Sequence, residues 1–116
     1  MLEFSPDELV TADQQAAEAA VKAVQSKNKF LALDKTEKDF LSELIIMAEK
    51  THGEASQTKL ECFARASEEW KEFKRGLIVA EQEFNLASVR AKNAERRFEC
   101  MQSCLSFRKE ELKRIL

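Results

Sequence analysis

Turn-forming residues are almost missing from this 116-residue chain, which has two glycines, Gly53 and Gly76, and one proline, Pro6. Average usage of about 7% and 5% would supply roughly fourteen such residues. Sheets closed by tight turns need them, and so do Gly-rich phosphate loops and nucleophile elbows, so these are excluded. Histidine occurs once, at His52, and tyrosine not at all. Long apolar runs are also missing. The longest include Leu44-Ile45-Ile46-Met47-Ala48 and Leu77-Ile78-Val79-Ala80, far below the roughly 20 residues that cross a bilayer. Met1 to Glu8 show no basic stretch followed by an apolar one, so no secretory leader is expected. The odd cysteine count (Cys62, Cys100, Cys104) points to reduced thiols in the cytoplasm, with one intermolecular bridge left open.

What remains is a helical composition, with 44% hydrophobic and 34% charged residues and a net charge of -2. Its length suits one all-α domain over residues 1–116. The first start signal is Ser5-Pro6-Asp7-Glu8, which combines an N-cap serine, proline at the first helical position, acids in the first turn and Glu8 three residues after the cap. A helix over 6–27 follows. Its apolar residues are Leu9, Ala12, Ala16, Ala17, Ala19, Ala20, Val21, Ala23 and Val24, a face rich in alanine that must lean on something bulkier. A turn is expected in the polar stretch Ser26-Lys27-Asn28-Lys29. A second helix over 30–52 shows steps of three and four through Phe30, Leu33, Glu37, Phe40, Leu44, Met47 and Thr51, flanked by Leu41, Ile45 and Ala48. Gly53 suits a left-handed C′ position, which places the chain reversal at 52–56, with Ser56 or Thr58 as the next cap.

From Phe63 onward a heptad holds. Its a positions are Phe63, Trp70, Leu77, Phe84, Ala91, Phe98, Leu105 and Leu112, and its d positions Ala66, Phe73, Ala80, Ala87, Ala94, Met101, Arg108 and Ile115. Flanking charges include Glu69, Glu83, Arg90 and Arg97 at g and Lys74, Glu81, Glu95 and Lys109 at e. The reading is a continuous coiled-coil helix over 55–115, running through Gly76 without a phase change. At 1.5 Å per residue such a helix is roughly 90 Å long, and the expected fold is an elongated helical bundle or hairpin. A second stripe runs along Val79, Leu86, Cys100 and Phe107, beside Cys104, and implies more than one partner helix. Whether the seam closes within one chain or between two copies stays open, and dimerisation is the economical answer.

Chemical constellations are sparse. Glu49-Lys50-Thr51-His52 has the Glu-x-x-His spacing of di-metal bundles, but the second histidine such a site needs is missing. Cys100 and Cys104 share a helical face, whereas zinc takes four ligands and Cys62 is some 38 residues away. No catalytic, metal or cofactor site is expected. Residues 1–58 hold 11 acids and 6 bases, residues 59–116 hold 10 acids and 13 bases. The basic excess of the second half centres on Arg90, Arg96, Arg97, Arg108, Lys113 and Arg114, a candidate anion contact interrupted by Glu95, Glu99, Glu110 and Glu111. The functional expectation is a non-catalytic protein-binding module, adaptor, chaperone-like or inhibitor, acting through helical faces as a homodimer. Its interface or seam would use Phe63, Trp70, Phe73, Leu77, Phe84, Ala87, Phe98, Met101, Leu105 and Phe107. The alternative is a nucleic-acid-associated accessory protein that uses the basic stripe.

Overall fold

A computed structural model describes residues 5–115. Met1 to Phe4, part of the stretch read as no leader, and Leu116, at the far end of the expected domain, lie outside them. Among the described residues the chain is all-α, with α1 at Pro6–His52, α2 at Gln57–Ala66 and α3 at Glu68–Ile115.

The start of α1 is a reciprocal capping box. The Glu8 backbone N–H donates to Ser5 Oγ at 3.2 Å, and the Ser5 N–H donates to Glu8 Oε2 at 3.4 Å. The turn expected at 26–29 does not form, and the two helices read as 6–27 and 30–52 are one. The reason is visible in the shielded positions of α1, which step through Leu9, Ala12, Ala16, Ala19, Ala23, Ser26, Phe30, Leu33, Glu37, Phe40 and Leu44 in an unbroken three-four rhythm. Ser26 is a member of that seam, and Asn28 does not take the positive φ that would end the helix; among the described residues only Gly53 does. Past Leu44 the stripe passes to Ala48, leaving Met47 and Thr51 exposed.

α1 ends at Gly53, which has φ +68° and donates its N–H to the Glu49 carbonyl at 2.9 Å. Ser56 caps α2, its Oγ accepting from the Lys59 N–H at 3.3 Å. The long helix expected from residue 55 is interrupted at Ser67, which has extended backbone (φ -67°, ψ 150°). Ser67 serves both flanking helices. Its N–H and its hydroxyl donate to the Ala64 carbonyl, at 3.2 and 2.6 Å, and its Oγ accepts from the Trp70 N–H at 3.3 Å. Glu68 and Glu69 in the first turn of α3 add a favourable interaction with the helix dipole. Phe63 and Ala66 therefore sit on a different helix from the heptad they were placed in, and both are exposed. α3 runs through Gly76 without interruption.

The chain forms two compact units, each described by itself. The hairpin unit, Ser26–Glu83, brings together the second half of α1, all of α2 and the first part of α3. Its core is Leu44, Ala64 and Trp70, with Phe40, Leu41, Ile45 and Phe73 packed against them. Ring centroids lie 4.9 Å apart for Phe40–Phe73, 5.8 Å for Trp70–Phe73 and 6.4 Å for Phe40–Trp70. Lys74–Glu37 at 2.8 Å and Lys29–Glu83 at 3.5 Å bridge α1 to α3, which run antiparallel here. The terminal unit, made of the described residues up to Gln25 and those from Phe84, has only two helices. There α1 presents Leu9, Ala12, Ala16, Ala19 and Ala23, and α3 presents Phe84, Ala87, Ala91, Ala94, Phe98, Met101 and Leu105. Ala12 shares a shallow cleft with Met101, and Ala19 shares another with Ala87. Alanine thus meets alanine at the Ala19–Ala87 level, whereas Ala12 meets the bulkier Met101.

Candidate functional site

Two surfaces stand out, and they differ in kind. The first is the outer side of the terminal unit. The heptad that buries Leu9, Ala12, Ala16, Ala19 and Ala23 leaves Val10, Ala17, Val21 and Val24 on the far face of α1, all exposed and again spaced by sevens, fours and threes. Read by composition, these valines merge with the inner alanines into one face; the structure separates them into two. On α3 the corresponding outer line is Leu86, Val89, Cys100 and Phe107, with Phe107 62% exposed and Cys100 free. Val79 of the hairpin unit, assigned to this stripe from sequence, is exposed as well. A solvated helix needs no such second stripe, and isolated exposed apolar residues do not recur at heptad spacing.

Of the residues assigned to the seam, Trp70, Leu77 and Met101 are buried, and Phe73, Phe84, Ala87, Phe98 and Leu105 are half-buried. Phe63 is 43% exposed on α2, where its ring stacks on His52 with centroids 4.1 Å apart. That pairing puts the single histidine beside an aromatic face at the end of α1. Beyond Leu105 the register fails. Arg108, Leu112 and Ile115 are exposed, since this stretch of α3 lies past the level at which Leu9 begins the α1 seam.

The basic residues Arg90, Arg96, Arg97, Lys113 and Arg114 are exposed along α3, as is Arg108. Two of them face the acidic start of α1. Arg97 lines a cleft with Asp7 and Glu8, and Arg90 lines one with Glu18. Lys113 and Arg114 occupy the last turn of α3, where cations favour the helix dipole.

The second surface, which sequence reading missed, lies in the hairpin unit. A cleft of about 590 Å³ opens between α1, the end of α2 and the start of α3. Leu41 and Trp70 form its apolar part, and Trp70 is only 7% exposed. Lys74 also lines it, held to Glu37 and with its ammonium 5.5 Å from the centroid of the Trp70 ring. Lys35, Lys38 and Arg65 surround this floor, together with Asp34. Lys35 and Lys38 are 27 or more residues from Arg65 in the chain, so only the folded hairpin brings them together.

Among the described residues no group of three or more His, Cys, Asp or Glu side chains is placed to hold a metal ion. None of the helices described is long and apolar enough to cross a membrane. Comparison with known proteins finds no match to a family model, to a curated protein or to a solved structure.

Proposed function

We propose that this chain is a non-catalytic helical interaction module, an adaptor, chaperone-like or inhibitor protein, that works in the cytoplasm as a homodimer. The observation that carries this reading is the second heptad stripe on each helix of the terminal unit, Val10, Ala17, Val21 and Val24 on α1 and Leu86, Val89, Cys100 and Phe107 on α3. Two helices meeting through alanine bury little apolar area, and covering the outer stripes with helices of a second copy adds what the pair lacks. Charge favours the same arrangement. In the terminal unit the α1 residues 5–25 carry four acids and one base, and the α3 residues 84–115 carry eight bases and four acids, so α1 of one copy and α3 of another attract. The three free, exposed cysteines suit a reducing compartment.

Light scattering on the purified chain tests this reading. The expected mass is twice the 13.3 kDa of the monomer, falling to the monomer value in Val21→Lys and Leu86→Lys with helicity retained, because both side chains are exposed. A wild-type monomer at every concentration overturns the dimer. Retention on DNA that falls steeply with salt would instead favour the basic stripe of α3 as a nucleic-acid contact.

A further inference from the structure

We propose that the cleft of the hairpin unit is the docking site for a short acidic segment of a protein partner, one apolar side chain flanked by carboxylates. This names a partner chemistry and rests on the interaction reading above. The argument begins with charge. The hairpin unit, residues 26–83, holds twelve acidic and ten basic residues and is therefore net negative by two. Its cleft inverts that balance, with Lys35, Lys38, Arg65 and Lys74 against Asp34 and Glu37, a net of plus two. Cations are thus concentrated at one concavity of an otherwise acidic unit, which draws an anionic partner to that place in preference to the rest of the hairpin unit.

These cations are also available. Lys74 is engaged by Glu37 at 2.8 Å, whereas Lys35, Lys38 and Arg65 have no ion-pair partner among the described residues. Lys35 and Lys38 lie three residues apart on α1 and share a face, so they present two ammonium groups side by side. Arg65, from the last turn of α2, offers a planar fork that takes a carboxylate through two hydrogen bonds. Leu41 and Trp70, which line the same cleft, give an apolar side chain a place to sit. The volume, about 590 Å³, falls within the range of roughly 300–1,000 Å³ typical of ligand sites. The floor is rigid, because the Trp70 ring is stacked among Phe40 and Phe73 and covered by Lys74. An occupant therefore meets an apolar floor already shaped, and the ordering that opposes binding is that of the exposed Lys35, Lys38 and Arg65 side chains.

Trp70 is the only tryptophan in the chain, so intrinsic fluorescence reports this cleft and no other place. The experiment titrates the full chain with a synthetic Asp-Glu-Leu-Glu-Asp peptide and, in parallel, with its Asn-Gln-Leu-Gln-Asn counterpart and with inorganic phosphate. The expected result is a saturable change in Trp70 emission with the acidic peptide only. Raising salt from roughly 0.05 M to 0.5 M weakens it about tenfold or more. The combined variant Lys35→Gln, Lys38→Gln and Arg65→Gln weakens it about tenfold or more with helicity unchanged, since all three side chains are exposed. Equal response to the neutral peptide, response to phosphate alone, or no response overturns the proposal. The salt dependence of the unaltered protein carries the test if the variant fails to fold. A chain that dimerises through Val21 and Leu86 but shows no Trp70 response loses the cleft and keeps the module. A monomer that answers the acidic peptide does the reverse.

Discussion

Around Trp70 the hairpin unit closes three helices over stacked rings, whereas around Ala12 and Met101 the terminal unit joins two helices that meet largely through alanine. Both units use the same a/d spacing, so spacing alone does not set how much each one buries. Side-chain volume does. In the hairpin unit Leu44, Ala48, Leu60, Ala64, Trp70, Leu77 and Ala80 are buried; in the terminal unit Ala12 and Met101 are. At about 25 cal/mol for each Å² of apolar surface removed from water, alanine contributes a small fraction of what leucine or tryptophan does. The unit with the thin core also carries the exposed stripes on Val10, Val21, Leu86 and Phe107, and that is the physical reason for placing the proposed intermolecular contact there. The unit with the full core can hold a rigid cleft without help.

The largest effect that would break this contrast is expected at Trp70. Trp70→Ala removes the ring that touches Phe40, Phe73 and Lys74 and should cost about 3–5 kcal/mol, measured by chemical denaturation. Amide exchange should rise first around α2 and the start of α3. If the loss were below about 1 kcal/mol, the rings would be surface decoration and the comparison would fall.

Next in size is the reverse substitution in the other unit. Ala12 is buried beside Met101, so Ala12→Leu pushes extra methylenes into a close helix contact and should destabilise by about 1–3 kcal/mol. A stabilised Ala12→Leu protein would mean that the terminal helices stand apart with room to fill, and that alanine there is incidental.

Much of this was legible in the residues. The capping box at Ser5 and Glu8, the reversal at Gly53 and the heptad from Trp70 to Leu105 all follow from local rules. What was missed failed for two reasons. The polar stretch from Ser26 to Lys29 reads as a turn by composition, yet Ser26 stands half-buried at a seam position, and its register with Ala23 and Phe30 is the available signal. Ser67 was overlooked because a heptad passes through it on paper. The Ser-Glu-Glu-Trp sequence is nevertheless a helix start, with a cap followed by two acids. The cleft was out of reach for another reason. Its cations come from α1, α2 and α3, and nothing short of the hairpin geometry places Arg65 beside Lys35 and Lys38.

The Ser67 junction sharpens the comparison, because it is what gives the hairpin unit its third helix. Ser67→Ala removes the acceptor for the Trp70 N–H and the hydroxyl donated to the Ala64 carbonyl. The cost should be about 1 kcal/mol in denaturation, with the loss of protection confined to residues near the α2–α3 boundary. Protection lost equally in the terminal unit would show that the two units unfold as one, and that their contrast in packing has no thermodynamic counterpart.

The smallest effect has the opposite sign and comes from Gly76. It lies inside α3 without a positive φ, and a Cβ added there meets nothing within 4 Å. Gly76→Ala should therefore stabilise the protein by about 0.5–1 kcal/mol, through lower entropy of the unfolded chain and better helix propensity. The gain should appear in the melting temperature without any change in Trp70 emission, since the site is exposed and away from the rings. A loss of stability would mean that α3 bends at Gly76 in solution, and the register linking Phe73 to Leu77 would then have to be redrawn. Because the hairpin unit reaches only to Glu83, a bend at Gly76 would strip Leu77 and Ala80 from its core and bring its burial closer to that of the alanine-lined pair.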